Sequence, residues 1–240
     1  MFTGSTRLTG ENNKEYSYRV IKEGIMSLQL KPGQAISEVE LAEALQISRT
    51  PIREVMGKLR EEHLVEVLPQ VGSYISKIKP QLIEEAAFMR YTLEKEVMRL
   101  ACESFPEDKL RELKRNVALQ EELVDQKTEG LAFHKLDTKF HAIIFQGINK
   151  EHVWDAITRL STHYNRMRVL SELEHNFQAA FQEHKNIIQI IENGDVEQVE
   201  TAVHHHIMKP TKLWGSLLHP ESPYSDYFDL SYRTPIFQSN

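Results

Sequence analysis

From Leu82 to about Leu218 the chain carries no strand signal. Apolar residues recur there at helical spacing, and six helical segments fit: roughly 81–103, 107–128, 130–148, 150–171, 173–193 and 195–218. The breaks fall at "SFPED", "TEG", "GINKE", "SELE" and "NGD", with Pro106, Gly130 and Gly194 marking three of them. Amphipathic helices joined by short breaks bury their apolar stripes only against one another, so this region is predicted to be an all-helical bundle. There is no internal repeat and no low-complexity segment.

Several stripes carry polar residues. At about 100° per residue, Phe133, Asp137, Phe140, His141, Ile144 and Ile148 share one face of the third segment. Phe177, Ala180, Phe181, His184, Ile187, Ile188 and Ile191 share a face of the fifth. In the last, Val199, Ala202, Val203, His206, Pro210, Leu213 and Leu217 line up. The triplet His204-His205-His206 therefore resolves into one inward residue, His206, with His204 about 160° and His205 about 100° away. An ionised aspartate among Phe and Ile is costly unless paired. Three inward histidines on three helices solve that problem together with Asp137 by sharing a cation. Imidazoles plus a carboxylate suit zinc first, with nickel, manganese or iron as alternatives, rather than calcium or magnesium. His134, one turn before Asp137, suits a hydrogen-bonding role behind the ligands. His63, His152, His163, His175 and His219 read as surface or packing residues.

The first eighty residues differ in kind. Val20, Ile21, Gly24, Ile25 and Leu28 keep helical spacing until Pro32 and Gly33. Ser37 can cap a helix with Leu41, Ala42 and Leu45 inward. Ser48 opens another, with Pro51 in its first turn and Ile52, Val55, Met56 and Leu59 inward. Residues 48–60 hold Arg49, Arg53, Lys58 and Arg60 against Glu54. Arg49 and Arg53 can point from one face near the helix start, the end of a recognition helix that meets base edges and phosphates. "LVEVLPQVGSYISKI" then reads as strand, turn, strand, with Val65, Val67 and Ile75 suited to strands. Such a hairpin after a helix-turn-helix is a wing, whose Lys77 and Lys79 can meet phosphates.

Charge supports this division. Net charge is −6 over 240 residues, but residues 1–80 hold 11 Lys+Arg against 10 Asp+Glu, whereas residues 81–240 hold 18 against 25. No apolar run is long enough to cross a membrane, and the first residues lack the apolar centre of a signal peptide, so a cytoplasmic protein is expected. The one cysteine, Cys102, excludes an intrachain disulfide framework and reads as a small packed residue.

"LAEALQISRTPIREVMGKLREEHLVEVLPQVGSYIS" resembles the winged helix of the GntR family of bacterial transcription regulators over about residues 16–78. The resemblance implies DNA contacts from Arg49, Thr50 and Arg53, with Gly72 at the wing tip. Two residues depart from it: His63 stands where a glycine usually ends the recognition helix, and Val71 where many members carry a wing-tip arginine. "RYTLE", "LDTKFHAIIFQGIN", "HKNIIQIIENGD" and the last inward histidine are similar to the FCD ligand-binding domain found behind such winged helices, over about residues 83–218. That family's metal ligands fall on Asp137, His141, His184 and His206, and its pocket arginine on Arg90; Asn165, Arg166 and Arg168 are further candidates. Six segments resemble the VanR-type branch.

The expected fold is thus mainly α: a tail at 1–15, a winged helix-turn-helix at 16–79, an all-α FCD bundle at 83–218 and an irregular tail at 219–240. The leading functional expectation is a metabolite-responsive regulator. It would bind a palindromic double-stranded DNA operator as a homodimer, with no membrane role, and answer to a small organic acid at the metal site. A metal-dependent enzyme is the rival from another class, with water activated at an open metal position. It lacks a clear general base and leaves the first domain unexplained. A purely structural metal is the third reading.

Overall fold

The computed structural model describes residues 6–126, 130–174 and 177–231. His175, most of the break at "TEG" and the side chain of Leu213 lie outside the described residues. The chain falls into two compact units. Among the described residues, one holds those up to Pro80 together with residues 218–231, and the other holds Gln81–Leu217.

The first unit opens with α1 (Asn13–Met26). The Asn12 side chain accepts from the amides of Lys14 and Glu15, and the Glu15 carboxylate accepts from the Asn12 amide. There follow β1 (Ala35–Ile36), α2 (Glu38–Leu45), α3 (Arg49–Glu61), β2 (Val65–Leu68) and β3 (Gly72–Ile75). Ser37 Oγ accepts from the amide of Val39 and caps α2 as expected. Three helices close over one core: Val20, Ile21 and Ile25 from α1, Leu41 and Leu45 from α2, and Ile52, Val55 and Leu59 from α3. Each such buried aliphatic side chain contributes about 1.5–3 kcal/mol. β2 and β3 form the expected hairpin, with Val65 opposite Ile75 and Leu68 opposite Gly72. β1 adds an antiparallel edge to β3, in the order β1-β3-β2. Two residues are too short for a period-2 pattern, so β1 has no sequence signature of its own.

His63 takes the left-handed conformation that a glycine favours, at φ 57°. Its amide donates to Arg60 O and that of Leu64 to Leu59 O, the paired bonds that close a helix end. Ser76 Oγ donates to the His63 carbonyl at 2.5 Å and Ser76 N to the Leu64 carbonyl, holding the turn against the base of the wing.

The second unit holds α4 (Pro80–Glu103), α5 (Glu107–Gln126), α6 (Gly130–Gly147), α7 (Glu151–Leu160), α8 (Thr162–Glu174), α9 (Gln178–Asn193) and α10 (Val196–Leu213). α5 packs on α6 and α9, α10 on α9, and α6 also on α7 and α8. The segment expected as one helix over 150–171 is divided at Ser161, so seven helices are described where six were expected. Ser161 ends α7 by donating its amide to Ile157 O, and its own carbonyl accepts from Asn165 to start α8. Thr158, Ser161 and Thr162 are weak helix formers at that point, and apolar spacing continues through the break, which hides it from periodicity. No helix among the described residues is long and apolar enough to cross a membrane.

Candidate metal centre and nucleic-acid interface

α6 carries Asp137 and His141 one turn apart, α9 carries His184 and α10 carries His206. All four are buried, at 0–6 % exposure, and each offers a donor atom within 4.8 Å of the other three. His141 Nε2 lies 3.1 Å from His206 Nε2. His184 Nε2 lies 3.3 Å and His141 Nε2 3.9 Å from Asp137 Oδ1. Donors about 2.0–2.1 Å from a shared ion are roughly 3–3.4 Å apart.

The remaining ring nitrogens decide what these atoms are. His141 Nδ1 meets Glu94 Oε2 at 2.8 Å, and His206 Nδ1 meets Glu183 Oε2 at 2.9 Å. A carboxylate only accepts, so each Nδ1 carries the proton and each Nε2 a lone pair. For His184 the answer comes through two amides. Asn116 Nδ2 donates to the Leu136 carbonyl, Gln120 Nε2 donates to Asn116 Oδ1, and Gln120 Oε1 is left to accept from His184 Nδ1 at 2.7 Å. The backbone carbonyl at the end of the chain fixes every orientation before it. His184 Nε2 is then also a lone pair, buried without a hydrogen-bond partner and aimed at a carboxylate. Three lone pairs and an anion converge, and that donor set fits a divalent transition metal.

Protonation is suppressed at the same atoms. Burial drives His184 down to about 4, although Asp137 pulls the other way. Burial also lowers His141 and His206, against the pull of Glu94 and Glu183 respectively. Burial alone would raise Asp137, but Arg168 overcomes it and holds the carboxyl well below its usual range. Arg168 Nη1 and Nη2 donate to the two Asp137 oxygens at 2.6 and 2.7 Å. Burial likewise pushes Glu94 up, and Arg90 and His141 bring it below the ordinary carboxylate range. Rings fix the site sideways: Phe140 stacks on His184 at 4.1 Å and Trp154 on His141 at 5.5 Å between centroids.

Beside the centre is a small cavity of about 10 Å³, room for about one water. Arg90, Asp137, Trp154, Ser161, Asn165 and Arg168 are among the residues lining it. Arg90 Nε donates to Glu94 at 2.6 Å, while its buried Nη2 and the buried Ser161 Oγ have no hydrogen-bond partner. Arg166 is fully buried, with Nη2 3.1 Å from His163 Nδ1, and does not line this cavity. His163 packs in the core; His152 and His219 are exposed, as expected. His134 is buried, and burial with Arg168 nearby lowers it to about 4. Cys102 Sγ lies against the Ile190 carbonyl, with burial raising the thiol.

The triplet divides as read from periodicity, with one addition. His204 is exposed, edge-on to Tyr91. His205 is half-exposed, but its Nδ1 meets Glu183 Oε1 at 2.8 Å, so one carboxylate grips both His205 and His206. Glu94, Asn116, Gln120 and Glu183 escaped the sequence reading. The first three had a signal: they are polar residues on the inward stripes Arg90-Glu94-Val97 and Leu113-Asn116-Val117-Gln120. Glu183 lies beside the His184 stripe and had none.

In the first unit, Arg49, Thr50 and Arg53 are exposed at the start of α3. Both arginines reach toward Glu38 on α2: Arg53 Nε lies 3.2 Å and Arg49 Nη2 3.9 Å from Glu38 Oε2. An open groove of about 480 Å³ runs from there to the wing, lined by Ser37, Glu38, Arg49, Val71, Gly72 and Tyr74. Gly72 has φ 149°, and Val71 at the tip is 67 % exposed. Lys77 is exposed and lies over Gly33.

Two family descriptions match: bacterial regulatory proteins of the gntR family over residues 15–75, and the FCD domain over residues 85–209. The chain is 30 % identical over 200 residues to an uncharacterized HTH-type transcriptional regulator in an unstable DNA locus of Streptomyces ambofaciens, covering 82 % of this chain and 83 % of that one. It is 29 % identical to the HTH-type transcriptional repressor RspR of Escherichia coli K12, covering 80 % and 84 %. In fold it is similar to the solved structure of E. coli McbR/YncC, with a TM-score of 0.75 at 17 % identity, covering 87 % of this chain and 100 % of that one. With a winged helix that matches one description and a helical unit that matches the other, the chain belongs to the GntR family of DNA-binding transcriptional regulators, in its FCD-domain group, and is not an enzyme.

Proposed function

We propose that the protein is a ligand-responsive regulator that binds a palindromic operator as a homodimer, with a metal at Asp137, His141, His184 and His206 and a small carboxylate effector beside it. One winged helix reads only a half-site, which is the reason for a dimer. Arg49, Thr50 and Arg53 would meet base edges and phosphates, Gly72 would let the wing approach the backbone, and Lys77 would add a phosphate contact. The metal, zinc first among nickel, manganese and iron, would supply a Lewis-acid centre that holds an anionic oxygen.

The observation that carries this reading is the cavity next to the donor set. Arg90 Nη2 and Ser161 Oγ are buried without a hydrogen-bond partner, and both residues line that cavity together with Asp137. A guanidinium N–H and a hydroxyl are what a carboxylate accepts from. Asn165 and Arg168 line the same space. A cavity that holds about one water must open to take a carboxylate, and that opening is a differential interaction of the kind that shifts a two-state equilibrium.

The test is operator binding, with DNA selected from a random pool, followed by fluorescence anisotropy in chelator, in zinc, and in zinc with acetate or succinate. Affinity that changes at least about fivefold with zinc or with a carboxylate supports regulation at this site. Bound zinc without any change in affinity leaves a purely structural metal. The change in affinity should vanish in Arg90→Met if the carboxylate reading holds.

A further inference from the structure

Residues 219–231 lie beyond both family matches, which end at residues 75 and 209. They lie against the winged helix of their own chain. Ile78, in the stretch that leaves the wing for α4, pairs in parallel with Phe228. Its amide donates to the Tyr227 carbonyl at 2.8 Å, and its carbonyl accepts from the Asp229 amide at 2.9 Å. Ile78 and Phe228 are both buried, at 0 % and 3 % exposure. The Asp226 carbonyl lies beside Gly33, under the stem of Lys77. Ser231 holds the Asp229 carboxylate from its hydroxyl at 2.6 Å and its amide at 3.1 Å, and Lys79 and Lys77 add to its stabilisation.

Among the described residues the chain therefore joins the DNA-binding unit to the helical unit twice: once at Pro80–Gln81, into α4 with Arg90 and Glu94, and again at Leu217–Leu218, out of α10 with His206. The returning segment pairs with Ile78, close in sequence to the first join. A group bound at His206 acts on α10, and α10 is covalently continuous with the segment whose Phe228 pairs with Ile78 at the base of the wing.

We propose that residues 219–231 are a strap that carries the state of the His206 site to the wing, by tightening or relaxing the Ile78–Phe228 pairing. This rests on the reading that the buried donor set takes a metal and that the metal alters DNA binding. The strap is a regulatory part of the DNA-binding unit, with Phe228 as its anchor and Ile78 as its receiver.

The experiment uses the full chain, zinc alone as the probe, and two variants. Phe228→Ala removes the anchor. A flexible Gly-Ser insertion between the exposed His219 and Pro220 slackens the strap while leaving the docked part intact; exposed turns accept such insertions. Hydrogen exchange of the Ile78 and Asp229 amides and operator affinity are both read with and without zinc. In the wild type, zinc should change exchange at both amides by at least about fivefold. In the insertion variant the amides should stay protected and zinc binding should stay within about twofold, while the zinc-dependent change in exchange and in DNA affinity disappears. Phe228→Ala should lose protection at Ile78 and Asp229 and lose the zinc response as well. An insertion variant that answers zinc as the wild type does overturns the strap. A wild type whose amides answer zinc while its DNA affinity does not overturns the regulatory reading and leaves the strap standing.

Discussion

His141 and His206 face each other through their Nε2 atoms at 3.1 Å, each with its Nδ1 proton committed to a separate carboxylate, Glu94 or Glu183. Two lone pairs at that distance repel unless a positive charge lies between them. Both imidazoles are also kept from protonating, since burial lowers each. The arrangement therefore suits a cation, and the residues behind the histidines orient its donors.

The triplet gives a graded test. His206→Ala removes a donor and should lower zinc affinity by a factor of at least about a hundred. His205→Ala frees Glu183 from one of its two grips and should cost an intermediate, roughly two- to tenfold, loss. His204→Ala should leave affinity unchanged. Competition with a chromogenic chelator reads all three, and a full loss in His204→Ala with none in His206→Ala rules out the register of α10.

Gln120 should set the tautomer of His184. Gln120→Leu removes the acceptor for Nδ1–H, so metal affinity should fall about 10–100-fold. Gln120→Glu keeps an acceptor and should preserve it. Nitrogen chemical shifts of His184 in the metal-free protein give a readout that simple loss of packing would not move: Nδ1 protonated in the wild type and in Gln120→Glu, and mixed in Gln120→Leu.

DNA binding should depend on Arg49 and Arg53, with Ala at either position costing about 1–3 kcal/mol in operator affinity. Glu38 holds both guanidiniums in an exposed cluster that is worth little to stability. Glu38→Gln should therefore strengthen DNA binding severalfold with little change in melting temperature. Unaltered affinity in the Arg49→Ala/Arg53→Ala double variant contradicts the assignment of α3.

His63 adopts a left-handed conformation at the end of α3. His63→Gly removes that strain and should stabilise the protein by about 0.5–1 kcal/mol, offset in part by the greater freedom of glycine in the unfolded chain. Chemical denaturation with an unchanged slope measures it.

His184 and His134 are each held near 4 by burial, against 6.5 in an exposed chain. A base whose folded pKa is depressed binds protons better when unfolded. Their contribution is therefore fully present above pH 6.5 and is lost as pH falls toward 4. The metal-free protein should lose on the order of 3 kcal/mol per histidine across that window. Denaturation midpoints that stay flat from pH 7 to pH 4 speak against neutral, buried imidazoles at these positions.

Much of this was legible because two signals coincide in the chain. Polar residues that keep helical register with Phe and Ile, as Asp137, His141, His184 and His206 do, point inward whatever the tertiary detail. The Arg-rich helix followed by a strand-turn-strand pattern has one common reading. The break at Ser161 stayed hidden because the apolar spacing runs through it. Glu183 stayed hidden because it lies off the stripe and is drawn inward only by the two histidines it holds. The segment after Leu218 has no periodicity, since it contributes one bridge residue and backbone bonds, and these leave no pattern in side-chain types.

Equilibrium dialysis of the metal-stripped protein against zinc, with the metal counted per chain, decides whether Asp137, His141, His184 and His206 hold a metal. One tightly held zinc per wild-type chain is expected, and none retained by His184→Ala. A wild type that retains no zinc, or a His184→Ala protein that retains as much as the wild type, would contradict it.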